Sequence, residues 1–519
     1  MQAQMEALFR HGVLPSRRAL HGDRDSGVAV EGEDAACANC HRRSGLGTTA
    51  GLIIIPPITG KYLFRPQGNK LEDMDFQYVQ RSNRPNQAPY TDATLARAIR
   101  DGIGRNGREL NELMPRFKLD DATMAALIAY LKGLSATPAP GVSSDTLHFA
   151  TIITPDANPV ERRSMLDVME QFFADKNEFL RGGMRPMQAP GSGVNYRVTR
   201  RWQLHVWELA GAPDTWEAQL RSKLAAEPVF AVISGLGGKD WAPVHRFCEQ
   251  EAIPCLLPNV DLPVVAENDF YPVYYTKGVL IEAQLMAQQL RNKSEQAKSG
   301  RVVQVFREGD LGEEAARVLG KLAVSMHLAA ESRALKANAS RSELFAAVTK
   351  GMDAETTLVL WLRPEDLAAL PEQEPQSSAL FVSGLLGGLE HTPLRGAWRR
   401  DARLTYPFDL PDLRRIRMNY PLAWMRIKHI PVVAERVQSD TYLACGILAE
   451  NLTEMLDSFS RDYLVERIEA MLSHRIITGY YPRLGLAPGE RFASKGGYIV
   501  RLGEQEGGRL AADGGWLVP

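Results

Sequence analysis

Apolar residues recur at helical spacing in two short stretches near the start of the chain. In "TDATLARAIRDGIG" (91–104), Leu95, Ile99 and Ile103 fall at i, i+4 and i+8, which predicts a helix. A second helix is predicted in "LDDATMAALIAYLKGL" (119–134), where Leu127, Ile128, Leu131 and Leu134 share one face and Asp120 or Asp121 is placed to cap its start. The pattern stops at "KGLSATPAPGVSSDT" (132–146), which is rich in Pro, Ser and Thr and offers little to bury, as expected of a linker. From Leu147 the rhythm changes. Short β-rich runs ("LHFATII", "QLHVWEL", "VFAVISG", "RVVQVFR", "TTLVLWL", "SALFVSG") alternate with amphipathic helical stretches ("ERRSMLDVMEQFFADKNEF", "DTWEAQLRSKLAA", "GVLIEAQLMAQQLRN", "GEEAARVLGKLAV"). Such alternation predicts parallel α/β sheets, most simply as two lobes. Ligands of such folds bind beyond the carboxyl ends of the strands, which directs attention to the cleft between the lobes.

Size and charge narrow the setting. A chain of 519 residues is too long for one core and should hold about three packing units. With 61 Lys+Arg against 62 Asp+Glu, nothing points to nucleic acid or a strongly anionic membrane. No apolar run approaches the roughly 18 residues of a transmembrane helix. "MQAQMEALFRHGVLPSRRAL" lacks the apolar core of a signal peptide, so either an export signal has been removed or the protein is not exported.

The chemistry concentrates in "AACANCHRRSGLGT" (35–48). Five cysteines are few, and with ten histidines a C-x-x-C-H arrangement arises by chance roughly once in a thousand such chains. Cys37 and Cys40 at this spacing can form thioethers to the two vinyl groups of a haem, which carries His41 beneath the iron. Two alternatives compete. A zinc site needs a second ligand pair, and Cys248, Cys255 and Cys445 form no matching C-x-x-C. A thioredoxin-like dithiol belongs at a strand-to-helix junction, whereas a Gly-rich loop follows here. A low-spin electron-transfer haem also needs a sixth ligand. Met114, held in a loop by Pro115 between the two predicted helices, is the candidate, and Met74 and Met124 have ordinary explanations as thioethers of surface or core.

"CANCH", "IPPITG", "ATLARAIRDGIG", "MPRF" and "ALIAYLKGL", in that order, resemble a class I cytochrome c across about residues 20 to 134. The resemblance implies a small all-α domain carrying one covalent haem c, with His41 and Met114 as axial ligands. It also implies a backbone carbonyl near Pro56 or Pro57 that orients His41. A redox partner protein, such as a periplasmic dehydrogenase or another cytochrome, and a periplasmic location with the signal peptide removed are implied in the same way. The sequence departs from the family twice: "LPSRRALHGDRDSG" interrupts the helix expected before the motif, and "KYLFRPQGNKLEDMDFQYVQRSNRPNQAPY" lengthens the loop before the Leu95 helix.

Downstream, "FAVISGLGGKDWAPVHRFCEQEAIPCLLPNVDLPV", "YPVYYTKGVLIEAQLMAQQL" and "RVVQVFREGDLGEEAARVLGKL" resemble the type I periplasmic binding proteins of branched-chain amino-acid ABC transporters. The ending, from "YYPRLGLAPGERF" to "GGWLVP", is similar to that family's closing hairpin. Expected boundaries are 1–134 for the haem domain, 135–146 for the linker and 147–519 for a two-lobed α/β binding-protein-like region. Amino-acid binders of this family place several hydroxyls after the early strands to receive the ligand carboxylate; here those stretches read "SGLGGKDW" and "LPNVDLP", which counts against a standard amino-acid ligand. Candidate ligand contacts are Ser234, Asp240, Trp241, Asn259, Tyr274, Tyr275 and Trp361, set against a plainer reading in which the tryptophans are core and the tyrosines cover a seam. Cys248 and Cys255 are close enough in sequence for a bridge or stand as two buried thiols, and Cys445 reads as a small core residue on a helix. His245 and His148 read as structural or surface histidines.

The expected function is one-electron transfer, without enzymatic catalysis, by a haem protein whose fused region recognises a small molecule or docks a partner. The alternatives are a solute-binding protein or ligand sensor whose haem reports redox state, and a haem enzyme such as a peroxidase, against which a bound Met114 counts.

Overall fold

The computed structural model describes the chain apart from residues 51–52, 65–87, 182–199, 295–299, 456–457, 476 and 504–508. Met74 and most of the long segment before the Leu95 helix lie outside the described residues. The chain forms two compact units. One comprises Met1–His148 with Lys176–Gln203 and Leu448–Ile468; the other comprises Phe149–Asp175, Leu204–Ile447 and Glu469–Pro519.

Within Met1–His148 of the first unit the described α-helices are α1 (Gln2–His11), α2 (Ala38–His41), α3 (Gly60–Leu63), α4 (Asp92–Asp101) and α5 (Asp121–Gly133). Leu95 and Ile99 of α4 pack with Met124, Leu127, Ile128 and Leu131 of α5 and with Met5, Leu8 and Phe9 of α1. Ile103 lies past the end of α4, where Gly102 turns the backbone left-handed at φ 70°. Asp120 caps α5 by accepting the Thr123 N–H at 2.8 Å. Replacing Asp120 by Ala is expected to destabilise the helix it caps, read as a lower urea midpoint for this unit with the other unit's transition unmoved. An unmoved midpoint in both would show that the cap contributes nothing.

This unit is not all-α. Strands β1 (His21–Asp23) and β2 (Ala29–Glu31) form a hairpin, β3 (Thr48–Ala50) and β4 (Ile53–Ile55) form another, and β5 (Arg116–Phe117) pairs antiparallel with β1. Two local causes account for the difference from expectation. The segment that interrupts the N-terminal helix folds back on itself, with Arg24 N–H donating to the Val28 carbonyl at 3.0 Å. Pro115 disfavours a helical backbone at Met114, so "MPRF" runs out extended and lies against β1. The fit is close: a Cβ on Gly22 would come within 2.8 Å of the Phe117 ring.

The remainder is α/β. One sheet has the order β10-β9-β8-β6-β7, built from β6 (Thr146–Ile153), β7 (Arg201–Glu208), β8 (Ala231–Ile233), β9 (Cys255–Leu256) and β10 (Pro272–Val273). The β6/β8, β8/β9 and β9/β10 pairs are parallel. Helices α6 (Pro159–Arg181), α7 (Trp216–Ala226) and α8 (Ala242–Gln250) alternate with these strands, and Trp207, Leu220, Trp241 and Phe247 fill the core. Cys248 and Cys255 are buried in the same core.

The second sheet has the order β12-β11-β13-β14-β15-β16-β17. Its members are β11 (Arg301–Arg307), β12 (Ala329–Leu335), β13 (Thr356–Trp361), β14 (Ala379–Ser383), β15 (Ala402–Tyr406), β16 (Tyr498–Arg501) and β17 (Ala511–Ala512). Pairing is parallel from β12 through β15, and β16 and β17 close the sheet antiparallel. Helices α9 (Val279–Ser294) and α10 (Leu311–Ser325) pack with β11, β13 and β14 in its core. Between β15 and β16 run three long helices, α11 (Pro411–Ile427), α12 (Glu435–Met455) and α13 (Arg461–Leu472); Cys445 is buried on α12. Among the described residues no helix is long and apolar enough to cross a membrane.

Candidate functional site

The C-x-x-C-H residues form one tight structure. Cys37 caps the single turn α2, Cys40 lies within it and His41 ends it, with the His41 N–H donating to the Cys37 carbonyl at 2.9 Å. Both cysteines are free thiols, Cys37 partly buried and Cys40 exposed. His41 is buried, and its Nδ1 meets the Pro56 carbonyl at 3.0 Å. A proton on Nδ1 satisfies that contact and leaves the Nε2 lone pair for a metal, the arrangement by which a second partner fixes a ligand imidazole. Burial pushes the His41 pKa down, with the Pro56 hydrogen bond opposing, so the ring favours the neutral form that can ligate.

The contact depends on a closely packed loop. Arg42 adopts φ 66° and ψ 164°, a backbone state costly for a non-glycine residue, and turns the chain out of α2. Gly47 then donates to the His41 carbonyl at 3.0 Å with φ 73°. A Cβ there would lie 2.2 Å from the Ile55 carbonyl oxygen, so only glycine lets the loop approach the strand that delivers Pro56. From far along the chain, buried Glu466 accepts the Ser44 N–H at 3.0 Å and the Ser44 hydroxyl at 2.5 Å. Burial pushes its carboxyl up to about 7.

Met114 is half-buried at the start of the extended "MPRF" segment. Its N–H donates to the Asn111 carbonyl at 3.0 Å, and its own carbonyl accepts from Arg116, which also binds Asp25 at 2.6 Å. The β1–β5 pairing therefore sets where Met114 stands.

The donor set suits a haem better than the alternatives. Burial pushes the Cys37 thiol up to about 12, whereas a redox dithiol works through a thiol held low. Among the described residues no three or more His, Cys, Asp or Glu converge as a metal site, so the cysteines gain no second pair of the kind zinc needs.

The second unit holds a small cavity of about 10 Å³ at the carboxyl ends of its strands. Asn259 follows β9, Tyr274 and Tyr275 follow β10, Leu385 and Phe408 follow β14 and β15, and Arg436 and Asp440 come from α12. Tyr275 stacks on Tyr481 with ring centres 5.1 Å apart and donates its hydroxyl to the Asp440 carbonyl at 2.5 Å. Arg436 pairs with Asp261 at 3.2 Å. Burial opposes the Arg436 charge, but the carboxylates of Asp261 and Asp440 outweigh it and hold the guanidinium more basic than usual. Burial pushes Asp440 up to about 7 against the pull of Arg436. At the ends of β8 and β9, Ser234 (φ 49°) and Leu257 (φ 55°) are both left-handed, and such strained residues cluster at functional sites.

Of the seven candidate ligand contacts, Asn259, Tyr274 and Tyr275 line this cavity. Ser234 is buried beside it, its hydroxyl donating to Thr441 Oγ1 at 2.9 Å and accepting from Asn259 Nδ2 at 3.1 Å. Trp241 lies in the core of the first α/β sheet and Trp361 in that of the second, where its Nε1 donates to Gln304 at 3.0 Å. Asp240 is half-buried and is not among the lining residues. His245 buttresses the cavity, its Nδ1 2.7 Å from the Tyr274 hydroxyl and its Nε2 against Asp269. Asp261, Thr276, Arg436, Asp440 and Tyr481 were not singled out from sequence; the only local signal was the i, i+4 pairing of Arg436 with Asp440 on one helix face.

Comparison with known proteins agrees with both halves. Residues 31–135 match the family described as cytochrome c. Among solved structures, the chain is similar to a fatty acid ABC transporter substrate-binding protein from Thermomonospora curvata, at 16% identity, covering 74% of this chain and 95% of that one with a TM-score of 0.52. It is also similar to a branched chain amino acid ABC transporter from Thermus thermophilus with bound valine (11% identity, 72% and 97% covered, TM-score 0.53). A leucine binding protein from Thermotoga maritima gives 11% identity, 72% and 99% coverage and a TM-score of 0.50. No curated protein matches the chain. The α/β region therefore has the fold of the substrate-binding proteins of ABC transporters, and a segment that matches the cytochrome c family precedes it.

Proposed function

We propose that the protein is a c-type electron-transfer protein with a fused solute-binding region, working outside the cytoplasmic membrane. The haem segment is residues 1–134, the linker 135–146 and the binding region 147–519. One observation carries the first part: His41 ends a C-x-x-C turn with its Nδ1 on the Pro56 carbonyl, so its other nitrogen is left to ligate. Cys37 and Cys40 would hold the haem covalently, and His41 and Met114 would be its axial ligands. When bound, the haem supplies a one-electron couple. The chain's own part is to fix His41 in one tautomer through Pro56, to hold Met114 on the β1–β5 pairing, and to bury the turn among Ile58, Leu63, Phe64 and Leu127. Asn259, Tyr274 and Tyr275 would contact a small molecule in the binding region, and a redox protein would exchange the electron.

The test is a pyridine haemochrome assay on protein denatured after expression in a host that attaches haem. Wild type is expected to retain a c-type haem through denaturation, and Cys37→Ala/Cys40→Ala to lose it completely. Haem that stays attached in the double variant, or a wild type without haem, would sink the assignment.

A further inference from the structure

Three buried atoms on cavity-lining residues narrow what the solute is, given the solute-binding reading above. Among the described residues Asn259 Oδ1, Thr276 Oγ1 and Asp440 Oδ1 have no hydrogen-bond partner, although their residues are only 5%, 8% and 1% exposed. Each such orphan costs on the order of 1–3 kcal/mol, and three around one void point to a group that completes them. Their roles are set by the other ends of the same side chains. The Asn259 amide nitrogen is committed to Ser234 Oγ at 3.1 Å and Thr441 Oγ1 at 3.4 Å, so the open end is its oxygen. Asp440 receives the Tyr481 hydroxyl on Oδ2 at 3.5 Å, which leaves Oδ1. Asn259 Oδ1 can only accept, Asp440 Oδ1 can only accept once the carboxyl is ionised, and the Thr276 hydroxyl can accept as well.

Charge points the same way. Among the lining residues two carboxylates, Asp261 and Asp440, face the one guanidinium of Arg436, which pairs with Asp261 at 3.2 Å, so one negative charge is in surplus when Asp440 is ionised. The rings of Tyr274, Tyr275, Phe408 and Tyr481 line the same space, and the Arg436 guanidinium already stands over the Phe408 ring at 5.9 Å. A carboxylate would meet the like charges of Asp261 and Asp440, and the Ser234 hydroxyl is already donated to Thr441. The void of about 10 Å³ admits a head group about the size of one water.

We infer that the cavity seats the ammonium group of a small primary amine that carries no carboxylate, its three N–H donors matched to Asn259 Oδ1, Thr276 Oγ1 and Asp440 Oδ1.

The experiment is calorimetric titration of the full-length, haem-loaded protein with ethylammonium, ethanol, acetate and leucine, above about pH 7 so that Asp440 is ionised. Ethylammonium is expected to bind saturably and at least about tenfold more tightly than the other three. Asp440→Asn should weaken it about tenfold or more. Thr276→Val removes a hydroxyl that bonds to none of the described residues, so it should fold as wild type and still weaken the amine several-fold. Tighter binding of acetate, leucine or ethanol, or amine binding that both variants leave unchanged, overturns the inference while leaving a solute-binding region. Binding by none of the four overturns the inference together with the solute-binding reading.

Discussion

Met114→Ala is expected to keep the covalent haem and lose its sixth ligand. The pyridine haemochrome yield should match wild type, because Cys37 and Cys40 are untouched, while the methionine–iron charge-transfer band of the oxidised spectrum disappears. His/Met ligation raises the potential relative to other axial pairs. The reduction potential should therefore fall by about 200 mV, a fraction of the roughly 0.8 V that axial ligands span. The fold should tolerate the change. The backbone at Met114 is held by Asn111, Arg116 and the β1–β5 pairing rather than by its side chain. A band that survives in the variant would hand the distal position to another residue, and a wild type that shows haem without the band would favour an open-site enzyme or sensor.

The second large effect concerns Glu282 on α9, fully buried beneath the second sheet. Its carboxylate accepts from the Ser383 hydroxyl, the Leu385 N–H at 3.0 Å and the Thr405 hydroxyl at 2.8 Å, tying α9 to the ends of β14 and β15. Burial raises its pKa from 4.5 to about 7, only partly offset by those hydrogen bonds. The folded state thus binds the proton more tightly than the unfolded chain. The stability this contributes is fully present below about pH 4.5 and is lost as pH rises to about 7. At roughly 1.4 kcal/mol per pH unit the loss is about 3 kcal/mol. Glu466 and Asp440, also raised to about 7 by burial, add with the same sign.

Urea unfolding across that window should show wild type weakening as pH rises, and Glu282→Gln weakening less by about that amount. The difference between the two isolates Glu282 from the other carboxyls. Glu282→Ala leaves three buried donors without this acceptor and should cost about 3 kcal/mol or more at every pH. Identical slopes for wild type and Glu282→Gln would show that the carboxyl titrates as it does in the unfolded chain.

What was legible from the sequence is what depends on neighbours along the chain. The C-x-x-C-H spacing alone places two thiols and an imidazole on one turn. The Leu95–Ile99 and Leu127–Leu131 periodicities mark α4 and α5, and Asp120 marks where α5 begins. Continuous apolar runs such as "TTLVLWL" mark strands buried on both faces, and the order of strands and helices implied parallel sheets. Strands without that signature escaped. Ala329–Leu335 is a largely exposed edge strand carrying Glu331 and Arg333, and Ala402–Tyr406 has its apolar run broken by Arg403 and Thr405. They are strands because a neighbour supplies their hydrogen bonds, which composition does not record.

Tertiary structure alone decided the rest. The all-α expectation failed because an inserted hairpin and the Pro115-extended segment found each other as β1 and β5 across more than 90 residues. Trp241 and Trp361 drew attention by size, yet size is satisfied by burial, and both are core. The cavity's open acceptors come from Asn259, Thr276 and Asp440, and its ion pair joins Asp261 to Arg436. No local pattern links residues so far apart. Each is an ordinary polar side chain until the parallel strands bring their carboxyl ends to one edge and α12 is laid beside them. Local spacing therefore determined how a haem would be attached, and long-range convergence decided what the other half of the protein can hold.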